Sequence, residues 1–286
     1  MNSFGRITLG VILGCGALLM LPVVLTRLME NRLIYFPPRF PEGFDPSPTA
    51  FSGLESVWIK TSDGVKLNAF YFASSTRAKT LLCFHGNAEN IAHGLAQWRD
   101  FSGLGLNVLA LDYRGYGRSE GSPDERGVYC DAEAAYAYLV GQRDIKAMDI
   151  VLYGRSLGGA VAIDLAAQRH CGGLIIESSF TSGRSMARRA FPIPFFEYVP
   201  KSRFDSLDKI KRIRSPILIM HGTHDTVVPH SMGQQLYQTA NEPKYFFAIN
   251  GAEHNDVYDV GGFAYLERIK QFIMSLPKSS PSPVIP

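Results

Sequence analysis

Short apolar runs alternate with longer helix-like stretches along most of the chain. Each run is largely aliphatic or aromatic and has the length of a buried strand. We predict strands at Thr80–Phe84, Val108–Leu111, Ile150–Tyr153, Gly173–Ile176, Ile217–Met220 and Tyr245–Ile249. The helix-like stretches lie near 90–102, 124–142, 157–169, 230–240 and 263–275. This alternation predicts an α/β fold, with a mostly parallel central sheet and helices on both of its faces.

Two earlier segments have a different pattern. Apolar and polar residues alternate in Glu55–Lys60 and again in Val65–Phe72, and Ser62-Asp63-Gly64 separates the two segments. Alternation on both sides of a Gly-containing turn predicts a β-hairpin. We therefore expect an antiparallel hairpin to open the domain.

The amino-terminal segment Ile7–Leu25 contains 19 residues and no charge. This is close to the ~20 residues that cross a bilayer, so it predicts a single-pass membrane anchor and a membrane localisation. A cleaved signal peptide is the main alternative, and a lipoprotein-type cleavage before Cys15 is another. Arg6 lies on the amino side, against Arg27, Arg32 and Arg39 on the other, and this imbalance favours a cytoplasmic location for the domain that follows.

Proline and serine mark the boundaries of the predicted domain. Prolines recur between residues 37 and 48, which predicts an extended linker, and the carboxyl-terminal residues are rich in Ser and Pro. The predicted organisation is an anchor at 1–34, a linker at 35–50, an α/β domain at 51–276 and a disordered tail at 277–286.

Composition narrows the range of functions. The chain has 29 Lys and Arg against 26 Asp and Glu, and its basic residues are dispersed, so we expect no nucleic-acid partner. Its four cysteines are scattered without the spacing of metal ligands. We predict neither a metal nor an organic cofactor, and the sequence leaves the oligomeric state open.

One serine follows a predicted strand in the stretch Gly154-Arg155-Ser156-Leu157-Gly158, and an alanine-rich helical segment comes next. In a G-x-S-x-G turn between a strand and a helix, the glycines allow close approach and the serine hydroxyl is exposed above the sheet. Glycine and serine are also common in ordinary loops, so the strand and helix context carries this interpretation. Ser156 is the predicted nucleophile.

A serine nucleophile needs a histidine base and an acid that orients the base. Two later loops contain such residues: 221–229 includes His221, His224 and Asp225, and 250–256 includes His254. Both loops follow predicted parallel strands, and the carboxyl ends of such strands meet at one edge of a sheet. Glu177, which follows another strand, is an alternative acid.

These motifs resemble a known family. The chain is similar to the α/β-hydrolases that include the membrane-associated protein-depalmitoylating hydrolases and their fungal bud-emergence relatives. The resemblance covers roughly residues 55–275, although the depalmitoylating members are better known for a cysteine-rich amino terminus. The matching stretches are His85–Ala88, Asp112–Gly121, Gly154–Gly159, Glu177–Phe180, Arg203–Leu207, His221–Asp225 and Gly251–Asn255.

The resemblance implies an α/β-hydrolase fold with Ser156, Asp225 and His254 as a catalytic triad. The backbone N–H of Leu157, directly after the nucleophile, is one expected donor of the oxyanion hole. By resemblance to His-Gly-x loops, the second donor is the backbone of Asn87, with Ala88 as the alternative. His221 and His224 have a spacing that suits a metal, but no third ligand stands nearby in the sequence.

The stretch from Ser179 to Arg214 is longer than one helical crossover requires. We interpret it as a short lid whose Phe191, Phe195 and Phe196 line a substrate pocket. The alternative is that these aromatic residues pack a second helix onto the sheet. In either case the insert is too short to form a large cap domain.

The predicted activity is hydrolysis of carboxylic esters or thioesters through an acyl-enzyme intermediate. The substrate would be a small molecule or an acylated partner. Serine aminopeptidases share this fold and triad, so a peptidase is an alternative. A non-catalytic scaffold is a second alternative, because this fold also serves as a binding module.

Overall fold

The structure, a computed structural model, describes residues 23–44, 53–74 and 78–277. Its strands are β1 (Leu54–Lys60), β2 (Lys66–Phe72), β3 (Thr80–Phe84), β4 (Asn107–Leu111), β5 (Ile150–Arg155), β6 (Gly173–Glu177), β7 (Ile217–Gly222) and β8 (Lys244–Ile249). Its helices are α1 (23–34), α2 (Leu95–Gly103), α3 (Glu125–Gly141), α4 (Leu157–Gln168), α5 (Gly183–Ala190), α6 (Ser206–Lys209), α7 (His230–Thr239) and α8 (Val257–Ser275).

The strands form one sheet in the order β1-β2-β4-β3-β5-β6-β7-β8. β1 pairs with β2, and β2 with β4, in antiparallel register, whereas the other neighbours are parallel. The predicted mostly parallel sheet and its amino-terminal hairpin are confirmed. Because all strands from β3 onward point the same way, the loops that follow them meet at one edge.

Successive side chains of each strand enter two separate cores. On β5, Leu152 belongs to the core under α3, α4 and α7, whereas Val151 and Tyr153 belong to the core under α2 and α8. The strand period of two thus divides one apolar run between opposite faces. Burial on both faces explains why β3 and β4 read as continuous apolar runs and show no alternation.

The insert between β6 and β7 contains α5, α6 and two single 3₁₀ turns, Phe196–Tyr198 and Ile210–Arg212. Ser182 caps α5, because its hydroxyl accepts a hydrogen bond from the backbone of Ser185. Phe180 and Phe204 anchor the two ends of the insert in the core, with ring centroids 6.1 Å apart. The predicted short lid insert is therefore present at the carboxyl edge of the sheet.

The amino-terminal residues differ from the prediction. In the part of the chain that the structure describes, no helix is long and apolar enough to cross a membrane. Residues 7–22 of the predicted span lie outside the described residues, and residues 23–25 begin α1. This helix packs on the domain through polar contacts, since buried Glu30 accepts hydrogen bonds from the backbone of Lys201 and Ser202. The finding contradicts the predicted membrane anchor and membrane localisation.

Residues 35–44, within the predicted linker, contact the same domain. Tyr35 is buried, and Arg39 donates hydrogen bonds to the carbonyls of Gly117 and Ser119. Phe40 and Phe44 pack against Phe70 of β2. The boundaries between anchor, linker and domain stay predictions, and the predicted tail from residue 278 onward lies outside the described residues.

Candidate active site

The serine turn joins β5 to α4 with almost no free space. Ser156 has φ 53° and ψ −113°, a conformation that a non-glycine residue adopts only at a cost. A Cβ added to Gly154 would lie 2.1 Å from the Gly158 carbonyl oxygen, and one added to Gly158 would lie 2.1 Å from that of Phe84. Glycine is therefore required at both positions, and the surrounding backbone holds Ser156 in its strained geometry.

His254 connects the serine to an aspartate. Its Nε2 lies 3.0 Å from the hydroxyl oxygen of Ser156, and its Nδ1 lies 2.7 Å from Oδ2 of Asp225. The three residues come from loops after β5, β7 and β8, which are separated by long stretches of sequence. The structure thus brings together the three side chains that the sequence singles out.

The Asp225 carboxylate is buried and surrounded by donors. The backbone N–H groups of Val227 and Val228 donate to its Oδ1, at 2.9 and 2.8 Å. Burial raises the pKa of this carboxyl, but hydrogen bonds from His221 and His254 outweigh it, so the pKa lies well below its usual range. Asp225 is consequently ionised at neutral pH and acts only as an acceptor.

His221 is a neighbour of this site whose contact the sequence did not predict. Its Nε2 lies 2.9 Å from the carbonyl oxygen of Val228 and 3.2 Å from Oδ2 of Asp225. A carbonyl only accepts, so Nε2 carries the hydrogen and supports the carboxylate. His221 and His224 have a spacing that suits a metal, but within the described residues no group of three or more His, Cys, Asp or Glu side chains is arranged to hold a metal ion.

The predicted oxyanion donors come from two different segments of the chain near Ser156. Leu157 is the first residue of α4, where backbone N–H groups lack partners within the helix and carry the positive end of the helix dipole. Asn87 follows β3 in a turn that also contains Ala88, whose φ is 58°. Leu157, Asn87 and Ala88 all border the same cavity as Ser156 and His254.

An ion pair that sequence reasoning missed connects this loop to the serine turn. Arg155 binds the Glu89 carboxylate through Nε, at 3.1 Å, and through a second guanidinium nitrogen. Glu89 also accepts a hydrogen bond from the backbone of Gly86. Arg155 ends β5 and Glu89 lies in the loop after β3, its neighbour in the sheet. No local sequence motif indicates that the two charges meet.

A cavity of about 660 Å³ extends from the serine. The insert supplies one wall, which includes Met186, Ala187, Phe191 and Phe196. Phe195 does not border the cavity, because its αL backbone directs the ring outward and leaves it 78% exposed. Two of the three predicted pocket aromatics therefore line the cavity.

An adjoining part of the wall comes from an unexpected part of the chain. Thr26, Glu30, Leu33 and Ile34 of α1 border the cavity, and their spacing places them on one face of the helix. The sequence prediction misses this wall, because it assigns residues 23–34 to the end and flank of a membrane span. The spacing of these four positions matches the 3.6-residue period of a helix, and this is the signal in the sequence that could have indicated the wall.

Glu177, the alternative acid, faces the other side of the sheet. Its Oε2 accepts hydrogen bonds from the hydroxyls of Tyr153 and Tyr265, at 2.8 and 2.6 Å. Burial raises the pKa of both tyrosines well above the usual value, so they remain donors, and Gln97 in turn donates to both hydroxyl oxygens. The Glu177 backbone carbonyl meanwhile accepts the N–H of Ser156 at 2.8 Å, so this network lies beneath the serine turn.

The sequence is similar to hydrolases along most of its length. The family described as "Serine aminopeptidase, S33" matches residues 75–203. The alpha/beta hydrolase domain-containing protein 17B of Homo sapiens is 38% identical over 226 residues, covering 77% of this chain and 75% of that protein. The alpha/beta hydrolase domain-containing protein WAV2 of Arabidopsis thaliana is 33% identical over 284 residues, covering 91% of this chain and 92% of that protein.

The fold is similar to that of a solved esterase. The Pyrococcus furiosus esterase Pf2001 has a TM-score of 0.70 with this chain at 22% identity, covering 84% of this chain and 98% of that one. At this identity the comparison concerns the fold. The identity to 17B and WAV2 extends over most of both chains. The chain belongs to the α/β-hydrolase superfamily.

Proposed function

We propose that this hydrolase cleaves carboxylic esters or thioesters through an acyl-enzyme intermediate. The observation that carries the proposal is the continuous contact from the Ser156 hydroxyl through His254 to Asp225 at the base of an apolar cavity. Ser156 is the nucleophile, His254 the base and Asp225 the residue that orients the base. This arrangement has the connectivity of a serine-hydrolase triad.

The hydrogen-bond partners determine the direction of proton transfer. Ionised Asp225 can only accept, so Nδ1 of His254 carries a hydrogen and Nε2 has the free lone pair. As Ser156 Oγ bonds to the substrate carbonyl carbon, its proton moves to Nε2. The carbonyl π electrons move to oxygen, and the backbone N–H groups of Leu157 and Asn87 stabilise the resulting oxyanion.

The remaining steps use the same groups. Collapse of the oxyanion breaks the bond to the alcohol or thiol, which leaves with the proton held on His254. Water then attacks the acyl-serine, His254 accepts a proton from that water, and the proton returns to Ser156 as the acid is released. Ionised Asp225 stabilises the protonated His254 in both halves of the cycle.

The cavity favours an ester over a peptide amino terminus. Recognition of a free α-amine requires an available carboxylate. Among the described residues, the carboxylates that line the cavity are those of Glu30 and Glu89. Glu30 is occupied by the backbone N–H groups of Lys201 and Ser202, and Glu89 is paired with Arg155. The surrounding wall is largely apolar and suits an acyl chain. We therefore prefer an esterase over an aminopeptidase.

Labelling with a fluorophosphonate tests the nucleophile. The full chain should react covalently, and Ser156→Ala should not, whereas Ser182→Ala is a matched control because Ser182 caps α5 and lies outside the cavity lining. Hydrolysis of p-nitrophenyl esters of increasing acyl length should be measured beside aminoacyl p-nitroanilides.

Each outcome separates the alternatives. Equal labelling of the parent and Ser156→Ala would refute the nucleophile assignment. Hydrolysis of the anilides in preference to the esters would favour the aminopeptidase. If neither protein is labelled and neither substrate class is cleaved, the chain is a non-catalytic member of the fold.

A further inference from the structure

One face of α1 forms part of the cavity that contains Ser156. Leu33 is half-exposed and borders the cavity together with Ile34, as do the insert residues Phe191 and Phe196. Leu28 lies on the same helix but is 76% exposed and outside the cavity lining. The helix thus has one face toward the site and another toward solvent.

Polar contacts hold this helix against the insert. The buried Glu30 carboxylate accepts hydrogen bonds from the backbone N–H groups of Lys201, at 2.7 Å, and Ser202, at 2.6 Å. One turn earlier, Arg27 donates to the carbonyl of Val199 at 3.0 Å. Hydrogen bonds to a buried charge are the stronger kind in proteins, so α1 and the insert form one continuous wall.

The end of α1 also contacts the proposed oxyanion loop. The Asn87 side chain donates through Nδ2 to the carbonyl of Ile34 at 2.6 Å, and its Oδ1 accepts the N–H of Phe36 at 3.1 Å. The same Oδ1 accepts the hydroxyl of Tyr116 at 2.7 Å. These contacts fix the orientation of the amide, because a carbonyl can only accept and a backbone N–H can only donate.

The side chain that binds residues 34–36 therefore belongs to the residue whose backbone N–H is the proposed oxyanion donor. An oxyanion donor is effective only when it is held in place before the reaction. The Tyr116 hydroxyl supports Asn87 from the domain itself, whereas Ile34 and Phe36 support it from the amino-terminal segment. Displacement of that segment would remove two of the three side-chain contacts described here.

We propose that residues 30–36 are a working part of the active site, in which Leu33 and Ile34 limit the acyl chain and the backbone of Ile34 and Phe36 positions Asn87. The inference rests on the proposed ester hydrolysis. The substrate class it implies is an ester or thioester with an extended apolar acyl group. Leu33 and Ile34 thus determine selectivity through their contact with the acyl chain. The backbone of Ile34 and Phe36 determines the rate through its contact with Asn87.

Leu33→Trp tests the acyl wall in the full chain. The larger ring should fill space in the cavity, so kcat/KM for p-nitrophenyl dodecanoate should fall at least about tenfold, while that for the acetate changes less than about twofold. Leu28→Trp is the matched control, because it adds the same side chain to the solvent face of the same helix. Its profile across acyl lengths should equal that of the parent.

Asn87→Ala tests the positioning contact. The backbone donor remains but loses its support, so kcat should fall about 10- to 100-fold at every acyl length, with KM nearly unchanged. Arg39→Gln is the control, because Arg39 holds the following part of the same segment at Gly117 and Ser119, away from the oxyanion loop. It should retain the parent kcat even if it lowers the melting temperature.

The outcomes distinguish this inference from the proposed function. A parent that neither binds the fluorophosphonate nor hydrolyses any ester refutes the proposed function and the inference with it. An active parent whose selectivity is unchanged by Leu33→Trp overturns the acyl wall, and an unchanged kcat in Asn87→Ala overturns the positioning role. Should Asn87→Ala fail to fold, Leu33→Trp still decides whether the segment limits the acyl chain. Leu33 is half-exposed, so its substitution should leave the fold intact.

Discussion

The two sides of the cavity are built differently. On one side, the turn around Ser156 is held by backbone atoms of β3, β5 and α4 that leave no room for a Cβ at Gly154 or Gly158. On the other side, α1 and the insert present half-exposed side chains such as Leu33 and Phe191. The sheet therefore fixes the proposed reacting groups by close packing, while peripheral segments form the surface that would contact the acyl chain.

This difference predicts how each side responds to substitution. Changes at the serine side should alter the rate for every substrate or destabilise the fold, because the packed backbone has no alternative arrangement. Changes at the peripheral side should alter selectivity with little loss of stability. The following variants test that division.

Asp225→Asn should have the largest effect on activity. The amide can no longer stabilise the protonated His254, so kcat should fall by about 10⁴, as in the triad template. Glu177→Gln is the matched control, since Glu177 contacts Tyr153 and Tyr265 on the other face of the sheet. Steady-state kinetics on one ester compares them, and inactivation by Glu177→Gln with an active Asp225→Asn would reverse the assignment.

Gly158→Ala should destabilise the fold strongly. Its Cβ would lie 2.1 Å from the Phe84 carbonyl oxygen and 2.6 Å from that of His85, so the serine turn must move away from the oxyanion loop. We expect a loss of about 3 kcal/mol or more in the free energy of unfolding. Urea denaturation followed by circular dichroism measures it.

Gly103→Ala is the control for that variant. Gly103 ends α2 and has no atom within 4 Å of an added Cβ, so alanine should raise the free energy of unfolding by up to about 1 kcal/mol. Equal stability changes in the two variants would contradict the close packing described for the serine turn.

The pH dependence of stability tests the environment of Asp225. Its folded pKa is lowered, so its stabilising contribution is fully present above the unfolded value of ~3.9 and is lost as the pH falls through the folded pKa. At neutral pH, Asp225→Asn should cost roughly 1.5–3 kcal/mol in unfolding free energy, because bonds to a charged acceptor are weakened. This difference from the parent should shrink below about pH 4.

Urea denaturation of the parent and Asp225→Asn across this pH range provides the measurement. If the difference in unfolding free energy between the two proteins stayed constant from neutral to acidic pH, His221 and His254 would not stabilise the ionised carboxylate. A difference that grows on acidification would indicate a raised pKa in place of a lowered one.

The smallest effect is expected at the insert. Phe191→Ala should lower kcat/KM for long acyl esters by about fivefold, near 1 kcal/mol, because the ring lines the cavity while leaving nearly half of its surface in solvent. Phe195→Ala is the control, since that ring is 78% exposed and outside the cavity lining. If kcat/KM depended on acyl length in the same way in both variants, Phe191 would not contact the acyl chain.

Local pattern was sufficient to predict the serine side of the molecule. Apolar runs of strand length predict the sheet. The Gly154-x-Ser156-x-Gly158 spacing predicts the turn, because the close approach of the backbone requires glycine at both positions. Parallel strands bring their carboxyl ends to one edge, so the sequence predicts that the loops containing Asp225 and His254 meet Ser156.

Contacts between distant segments were not predictable in the same way. The pairing of Arg155 with Glu89 and the contact between His221 and Asp225 depend on side-chain directions that residue types alone leave open. Phe195 and Phe196 are adjacent and chemically identical, yet the positive φ of Phe195 directs only one of them away from the cavity. A single backbone angle separated a wall residue from a surface residue.

The sequence by itself determined the fold class and the candidate reacting groups, because strand periodicity and the glycines of the turn are local requirements of the backbone. Only the tertiary structure decided that α1 packs against the insert and that its end holds Asn87. An apolar stretch followed by charges is equally compatible with a membrane flank and with a helix docked on a domain. The buried Glu30 and the Asn87 amide, whose partners lie far away in the chain, distinguish the two for the described residues.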